Sequence, residues 1–252
     1  MPTDKAPVTV KQPFARLAII RDFSQMRSVP VSQVKAYPSA ATFPGSLPVD
    51  APRVSRQVSL DTAVPAWHSL GLYAAPGETV TVSLPAAAVG KGLSVRIGSH
   101  TDKLWGLDSW KRFPEISRSW KLGSAETTVA SPFGGLVYLE VPDNCKLGTL
   151  SATVSGAVEA PLYELGKTDL EQWRSTIRKA PGPWAELASS KVILTVPAEQ
   201  VRTLDDPEQL MRLWDQVLDA EADFAGIPHE RKRPERICSD EQISAGYMHS
   251  GY

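Results

Sequence analysis

The chain has 252 residues, room for one large domain or two smaller ones, and its 42% hydrophobic content is typical of a globular protein with a substantial core. Lysine and arginine number 27 and aspartate and glutamate 28, so the formal net charge of -1 argues against nucleic acid or an anionic membrane as partner, since both select a concentrated basic face. No stretch of the sequence approaches the roughly 18 consecutive apolar residues of a membrane helix, and the first residues lack the apolar region of a signal peptide, so the compartment stays open.

Residues 1–60 are punctuated by prolines. Proline fixes φ and removes a backbone hydrogen-bond donor, so long regular elements are disfavoured here. We therefore predict a proline-rich extended segment. The exception is FARLAIIRDF, residues 14–23, which is compatible with one strand or a short helix.

Residues 61–166 are predicted to form a β-domain. From about Trp67 to Tyr163, polar and apolar residues alternate in short runs separated by turn elements such as Pro-Gly and Gly-Lys-Gly. Short strands at regular spacing with turn signals are typical of an antiparallel β-sandwich, here jelly-roll-like. The predicted strands are ETVTVSLP (78–85), LSVRIG (93–98), LVYLEVP (136–142) and LSATVSGAVEAPLY (150–163).

Residues 167–252 are predicted to begin an α-rich domain, which makes the fold α+β overall. A first helix is expected after Thr168 as N-cap, followed by the buried strand KVILTVP. The clearest helix has Asp206 as N-cap, Pro207 in its first turn and Gly226 as its end. Its predicted apolar face consists of Leu210, Leu213, Trp214, Val217, Leu218 and Phe224.

The sequence contains no recognisable catalytic or metal-binding motif. No two of the four histidines have the i, i+4 spacing that presents zinc ligands on one helix face. The run HERKR begins like HExxH but has Arg233 at the second histidine position. Phosphate-binding loops and the GxSxG elbow are missing from the sequence as well. Cys145 and Cys238 lack CxxC spacing and are predicted to be free thiols.

A loop rich in polar and aromatic residues follows the predicted strand at 93–98. Its residues His100, Asp102 and Trp105 are candidate ligand contacts, with ordinary turn packing as the alternative. Trp105, Trp110 and Trp120 lie in one loop-rich stretch with charged neighbours. We predict that these rings seal one end of the sandwich, and stacking on a sugar or on a partner is the alternative.

Several blocks of the sequence resemble, in order, the enhancin-like zinc metallopeptidases, a family of viral enhancins and bacterial mucin-degrading peptidases. The resemblance covers roughly residues 43–252 and rests on the recurrence of many blocks, not on one diagnostic motif. The blocks include WHSLGLYAAPGETVTVSLP, LSVRIGSHTDKLW, SPFGGLVYLEVP, GAVEAPLYELGKT and ERICSDEQISAGYMHSGY.

The resemblance implies a β-sandwich followed by a gluzincin-like catalytic domain, in which HExxH and a downstream glutamate hold zinc and the glutamate of HExxH is the general base. No position of this sequence matches those residues, so the sequence is expected to stop before the metal site. We assign no catalytic or metal residue and expect this chain alone to bind no zinc and to be inactive. Tyr247, His249 and Tyr252 in the last block are candidate substrate-cleft contacts, with core and turn packing as the alternative.

The leading hypothesis is therefore the N-terminal portion of a zinc metallopeptidase. The resemblance implies that the intact protein uses zinc and hydrolyses peptide bonds in a protein or glycoprotein substrate, of the O-glycosylated, mucin-like kind. One alternative is a non-catalytic β-sandwich module that binds glycan or protein, and another is an intracellular interaction protein. The family suggests an extracellular or cell-surface location, whereas the sequence itself shows no export signal.

Overall fold

The structure is a computed structural model that describes residues 1–249, and its architecture is mixed α+β, as predicted. The helices of this part are α1 (Pro13–Ser28), α2 (Leu170–Ser175) and α3 (Pro207–Ala225). The strands are β1 (Val8–Thr9), β2 (Val54–Asp61), β3 (Trp67–Ala74), β4 (Thr79–Ser83), β5 (Ser94–Ile97), β6 (Ser109–Trp110), β7 (Arg118–Lys121), β8 (Glu126–Ala130), β9 (Gly135–Glu140), β10 (Thr149–Glu159), β11 (Leu162–Glu164), β12 (Trp184–Ala188), β13 (Val192–Pro197) and β14 (Glu235–Cys238).

Eight strands form one antiparallel sheet in the order β7-β5-β9-β3-β10-β4-β8, with β2 also paired to β10. The long strand β10 takes part in both halves of the sheet, because it pairs with β2 along most of its length, with β4 at residues 153–155 and with β3 at its end. A bulge at Gly156 separates these two parts. Gly156 has φ +89°, and a Cβ there would lie 2.5 Å from the Thr79 carbonyl oxygen, so the position requires glycine.

The two halves of the sheet enclose the main hydrophobic core. Alternate residues point into it, such as Val80 and Val82 of β4, and Val95 and Ile97 of β5, all fully buried. The predicted antiparallel β-structure is therefore present. Its strands are continuous through β10 and do not divide into two separate sheets.

A second hydrophobic cluster covers the outer face of β3 and β9. Tyr73 and Tyr138 point away from the main core and pack in this cluster with Trp110 and Phe113. Trp105 packs partly buried against the same cluster, whereas Trp120 packs against the main core. The aromatic stretch therefore covers a face of the sheet, which corrects the prediction that all three tryptophans seal one end.

The N-terminal region contributes to this second cluster and is more regular than predicted. Helix α1 is 16 residues long and begins at Pro13, in the first turn, where the missing N–H of proline costs no hydrogen bond. Ile19 is its one buried residue, with Phe23 and Met26 partly buried beside it. The prolines shape the connections around α1, and the helix itself lies between them.

The region after β10 contains more β-structure than predicted. Strands β11, β12, β13 and β14 form a mixed sheet, with β11–β12 and β13–β14 parallel and β12–β13 antiparallel. Strand β12 is buried along its whole length, so it shows no alternation of polar and apolar residues. Because of this continuous burial, alternation of polar and apolar residues does not reveal β12. The sequence therefore predicts a more α-helical region than the structure contains.

The ends of α3 are as predicted, and its predicted apolar face is correct in part: Leu218 is buried, and Leu210 and Trp214 pack partly buried against the same cluster. The Asp206 carboxylate accepts from the Gln209 amide at 2.9 Å, and Gly226 ends the helix in the left-handed conformation. The buried residues of the helix are Pro207, Met211, Leu218 and Ala222, whereas Leu213, Val217 and Phe224 are exposed. The helix carries apolar residues on two opposite faces, and only one of them packs on the sheet. In α2, Asp169 rather than Thr168 is the N-cap.

Candidate functional site

The loop after β5 lies at the centre of the candidate site. His100 is buried, and its ring packs edge-on against Phe43 and Trp184 with centroids 4.7 and 4.4 Å apart. Its Nε2 donates to the Ser239 carbonyl at 3.1 Å. Burial, helped by nearby Arg112, lowers the pKa of His100 to about 4 against the opposing effect of Asp240. The ring is therefore neutral at neutral pH. It joins the loop after β5 to the segment after β14 through its packing and its hydrogen bond to Ser239.

The segment after β14, residues 239–249, here called the docked segment, is held on residues 98–117 by a buried ion pair. Arg112 donates from Nε and Nη2 to the two carboxylate oxygens of Asp240, each at 2.6 Å, and both side chains are almost fully buried. The Gln242 side chain bridges two backbone groups of the loop, accepting from the Lys111 amide at 2.7 Å and donating to the Ser109 carbonyl at 2.9 Å. The bidentate Arg112–Asp240 pair fixes the orientation of the two side chains as well as their distance.

Asp102 also binds the segment after β14, at Ser244 and His249. Its Oδ2 accepts from the Ser244 amide at 2.6 Å and lies 2.7 Å from His249 Nε2. Partial burial alone would raise the pKa of Asp102, but hydrogen bonds from His249 and Ser244 outweigh it and lower that pKa. The Ser244 hydroxyl is 3.3 Å from the same His249 nitrogen. A serine-hydrolase relay needs the two ring nitrogens to serve different partners, so this trio is not one.

The structure thus brings together three of the predicted site residues, His100, Asp102 and His249. Trp105 lies apart from them: its Nε1 donates to Glu115 at 3.2 Å and its ring packs on Phe23, with centroids 4.9 Å apart. Tyr247 is almost fully exposed. The predicted contact at Tyr252 falls outside the described residues. Contact of these residues with a substrate stays a prediction.

A second buried network, which the sequence analysis missed, joins the two sheets. Arg236 of β14 forms an ion pair with buried Glu186 of β12, and its guanidinium lies 4.8 Å from the Tyr138 ring centroid. The Tyr138 hydroxyl donates to Glu186 at 3.0 Å. Arg236 also donates to the Trp67 carbonyl at 3.2 Å. A single Glu in an apolar run, WAELA, is the signal that could have indicated such a network, because a buried carboxylate needs a partner.

A groove of about 600 Å³ lies beside the docked segment. Buried Phe43 and Trp184 line it, with prolines of three separate segments around them. Trp184 Nε1 donates to the Pro44 carbonyl at 2.6 Å, which fixes the ring. Burial raises the pKa of Glu241 on the same groove, and neighbouring Asp4 and Asp240 raise it further. The groove therefore combines fixed aromatic and proline walls with polar and charged side chains, among them Glu199, Arg202 and Asp240.

Residues 1–249 contain neither a metal-ligand cluster nor a membrane-spanning helix. No group of three or more histidine, cysteine or acidic side chains in that span could hold a metal ion. Cys145 and Cys238 are free and half-buried. Within the same residues, no helix has the length and apolarity needed to cross a membrane.

Two protein families match successive parts of the chain. Residues 49–155 match the N-terminal domain of M60-like peptidases, and residues 156–252 match peptidase M60, enhancin and enhancin-like. The junction between the two matches falls at the bulge of β10.

Curated relatives carry a different name. The chain is 47% identical to TRPM8 channel-associated factor 2 of Bos taurus over 187 residues, and 45% identical to TRPM8 channel-associated factor 1 of Homo sapiens over 186 residues. Each alignment covers 74% of this chain and 20% of the relative. The chain therefore spans about a fifth of the length of the curated relatives it matches.

Solved structures share the fold at low identity. The IMPa metallopeptidase from Pseudomonas aeruginosa matches with a TM-score of 0.56 and 19% identity, over 80% of this chain and 27% of that one. The ZmpB metallopeptidase from Clostridium perfringens matches with a TM-score of 0.56 and 15% identity, over 76% of this chain and 46% of that one. The two family matches, which together run from residue 49 to residue 252, confirm the resemblance seen in the sequence: the chain belongs to the peptidase M60 family of enhancins and enhancin-like proteins.

Proposed function

We propose that the protein carrying this chain works by associating with an ion channel, as the names of its relatives indicate, and that this chain is a non-catalytic scaffold in that association. The observation that carries the proposal is the identity of 45 to 47% to TRPM8 channel-associated factors across 74% of the chain. The bacterial peptidases, at 15 to 19% identity, share only the fold.

The internal contacts suit a scaffold. The buried charges Arg112 and Arg236 are paired with Asp240 and Glu186 inside the protein. Both guanidinium groups are thus committed to fixing one segment against another, and neither is free to polarise a substrate. Rigid positioning of surfaces is what a binding protein requires, since it lowers the ordering cost of association.

Co-purification tests this proposal. The full-length protein carrying this chain is expressed in cells together with a tagged TRPM8 channel, and the channel is captured. We expect the protein to be recovered with TRPM8 and not with an unrelated tagged membrane protein. A variant with Asp240→Asn, which releases the docked segment, should be recovered less well than the matched surface variant Glu164→Gln. Equal recovery with TRPM8 and with the unrelated protein would contradict the proposal.

The second candidate function is that of a zinc metallopeptidase acting on O-glycosylated proteins. Its support is the fold shared with IMPa, which has also been solved in complex with an O-glycopeptide, at a TM-score of 0.56 and 18% identity. The described residues hold no metal-ligand cluster, so zinc ligands would have to lie elsewhere in the protein.

An O-glycopeptide assay with metal analysis separates this candidate from its alternatives. Zinc bound in about one-to-one ratio and cleavage that a chelator abolishes would support the peptidase. Binding of the O-glycopeptide without cleavage would instead support a glycan-binding module. Neither binding nor cleavage would contradict both and leave channel association as the remaining proposal.

A further inference from the structure

A small cavity lies between helix α1 and the start of β7. Its walls are mainly apolar and include Phe23, Met26, Ile116, Trp120 and Phe133. The cavity measures about 40 Å³, whereas one water molecule needs roughly 10–15 Å³. It therefore has room for the few heavy atoms of one carboxylate group. Because the cavity is partly open, a part attached to that group can extend along the apolar walls.

One cation on this cavity has no carboxylate partner. Arg118 is half-buried, and its guanidinium lies 5.1 Å from the Trp120 ring centroid. Among residues 1–249 it makes no ion pair and no hydrogen bond with a carboxylate. Burial and the positive charge of Arg27 both lower the pKa of Arg118, and no acidic group in that span opposes them. Because arginine stays protonated in proteins, this position holds an unbalanced positive charge.

Among the described residues that line the cavity, Glu115 alone carries a carboxylate, and that carboxylate is already shared. Its Oε1 lies 3.8 Å from Arg27 Nη1 and 3.7 Å from Lys103 Nζ. Its Oε2 accepts from Trp105 Nε1 at 3.2 Å. Arg27, Lys103 and Arg118 thus place three positive charges against one negative charge around the cavity. A small anion would balance the excess.

A buried hydroxyl gives an independent indication of a ligand. Ser131 also lines the cavity and is 2% exposed. Its oxygen accepts from the Phe133 amide at 3.2 Å, and the part of the chain that the structure describes offers no acceptor to its hydroxyl hydrogen. A buried donor without an acceptor costs free energy, which a ligand oxygen would recover. The cavity therefore combines an unbalanced cation with an unused hydroxyl donor.

We propose that this cavity binds the carboxylate group of a small molecule whose attached part is apolar. Arg118 and Ser131 donate to the carboxylate oxygens, and the apolar walls contact the attached part. Charge-assisted hydrogen bonds of this kind are stronger than neutral ones. A phosphate monoester carries about two negative charges at neutral pH and is harder to desolvate among apolar walls, so the lining favours the carboxylate.

Isothermal titration of the full-length protein carrying this chain tests the proposal, with benzoate as the probe. Benzamide has a similar shape without the charge and should bind at least about tenfold more weakly than benzoate. Arg118→Gln should weaken benzoate binding by at least about tenfold, whereas Arg118→Lys keeps the positive charge and should lose less. Inorganic phosphate should bind more weakly than benzoate.

The matched control is Arg21→Gln, which removes the same charge from an exposed position of α1 outside the cavity and should leave benzoate binding unchanged. Circular dichroism of each variant checks that the fold is retained. Full-length protein that binds no benzoate would overturn the proposal, as it would if another part of the protein filled the cavity. So would equal binding of benzoate and benzamide, phosphate binding as tight as that of benzoate, or an Arg118→Gln variant that binds benzoate like the wild type.

Discussion

Strand β9 and helix α3 are both rich in apolar residues, yet the fold uses them differently. In β9, Val137 and Leu139 point into the main core, while Leu136 and Tyr138 point into the cluster on the outer face. In α3 one face is buried and the other, including Leu213, is exposed. The difference separates a strand that is buried on both faces from a helix that packs on the sheet with one face and leaves the other exposed.

The largest expected effect concerns the buried network that joins the two sheets. Glu186→Leu leaves the Arg236 guanidinium buried without its charge partner, so we expect the free energy of unfolding to fall by about 3–5 kcal/mol in urea titrations. The double variant Glu186→Leu/Arg236→Met removes both charges and should recover a large part of that loss.

The matched control for this experiment is an exposed ion pair. Lys167 donates to Glu164 at 2.8 Å on the surface, and Glu164→Gln should change the free energy of unfolding by about 0.5 kcal/mol or less. Equal losses in Glu186→Leu and Glu164→Gln would show that the Arg236 network is solvated and not buried.

The comparison between β9 and α3 is tested by the same substitution in each. Leu139→Ala removes a side chain that is 1% exposed and should cost about 2–5 kcal/mol. Leu213→Ala removes an exposed side chain and should change stability by about 0.5 kcal/mol or less. Urea unfolding at low protein concentration measures both. A large loss for Leu213→Ala would mean that the outer face of α3 is packed within the single chain.

The buried histidine of the candidate site predicts a pH dependence. The pKa of His100 is about 4 in the folded protein and about 6.5 when unfolded, so the unfolded state binds the proton first. Its contribution to stability is complete above pH 6.5 and is lost as pH falls towards 4, by about 3 kcal/mol in total. His100→Gln should flatten the unfolding free energy between those pH values.

His68 provides the comparison for this measurement. Burial also lowers the pKa of His68, against a hydrogen bond with the Val64 carbonyl that raises it. His68→Gln should flatten the curve less than His100→Gln. If His100→Gln leaves the slope unchanged, the ring is solvated and the docked segment does not cover it.

The smallest expected effect is at the start of α3. Asp206→Ala removes the side-chain acceptor of the Gln209 amide and should cost about 1 kcal/mol, whereas Asp206→Asn keeps an acceptor and should cost less. Thermal unfolding of both variants measures the difference. If Asp206→Ala left the stability unchanged, α3 would contribute little to the cooperative unfolding of the protein.

Local signals in the sequence predicted the features that depend on a few neighbouring residues. The cap at Asp206, the end at Gly226 and the alternating strands around Val80 and Val95 all follow from short-range rules. The family resemblance came from blocks distributed over the chain, and the two matched families confirm it.

Features that depend on distant pairing were not predictable in this way. The Arg112–Asp240 pair joins residues 128 positions apart, and no local pattern indicates which carboxylate a buried arginine meets. The two-sided burial of β12 removes the polar half of the alternation from which a strand is recognised. The predicted face of α3 combined packed residues such as Leu218 with exposed ones such as Leu213, because both faces are apolar and periodicity alone does not decide which one meets the sheet.

Amide hydrogen exchange tests the central contrast most directly. At a protein concentration that keeps the chain monomeric, we predict the slowest exchange in β9 and in the part of β10 that joins both halves of the sheet, and faster exchange throughout α3, which is held on one face only. The Ser244 amide, bonded to Asp102, should be protected relative to exposed Tyr247. Exchange in α3 as slow as in β9 would contradict the account, because it would place both faces of the helix in the interior.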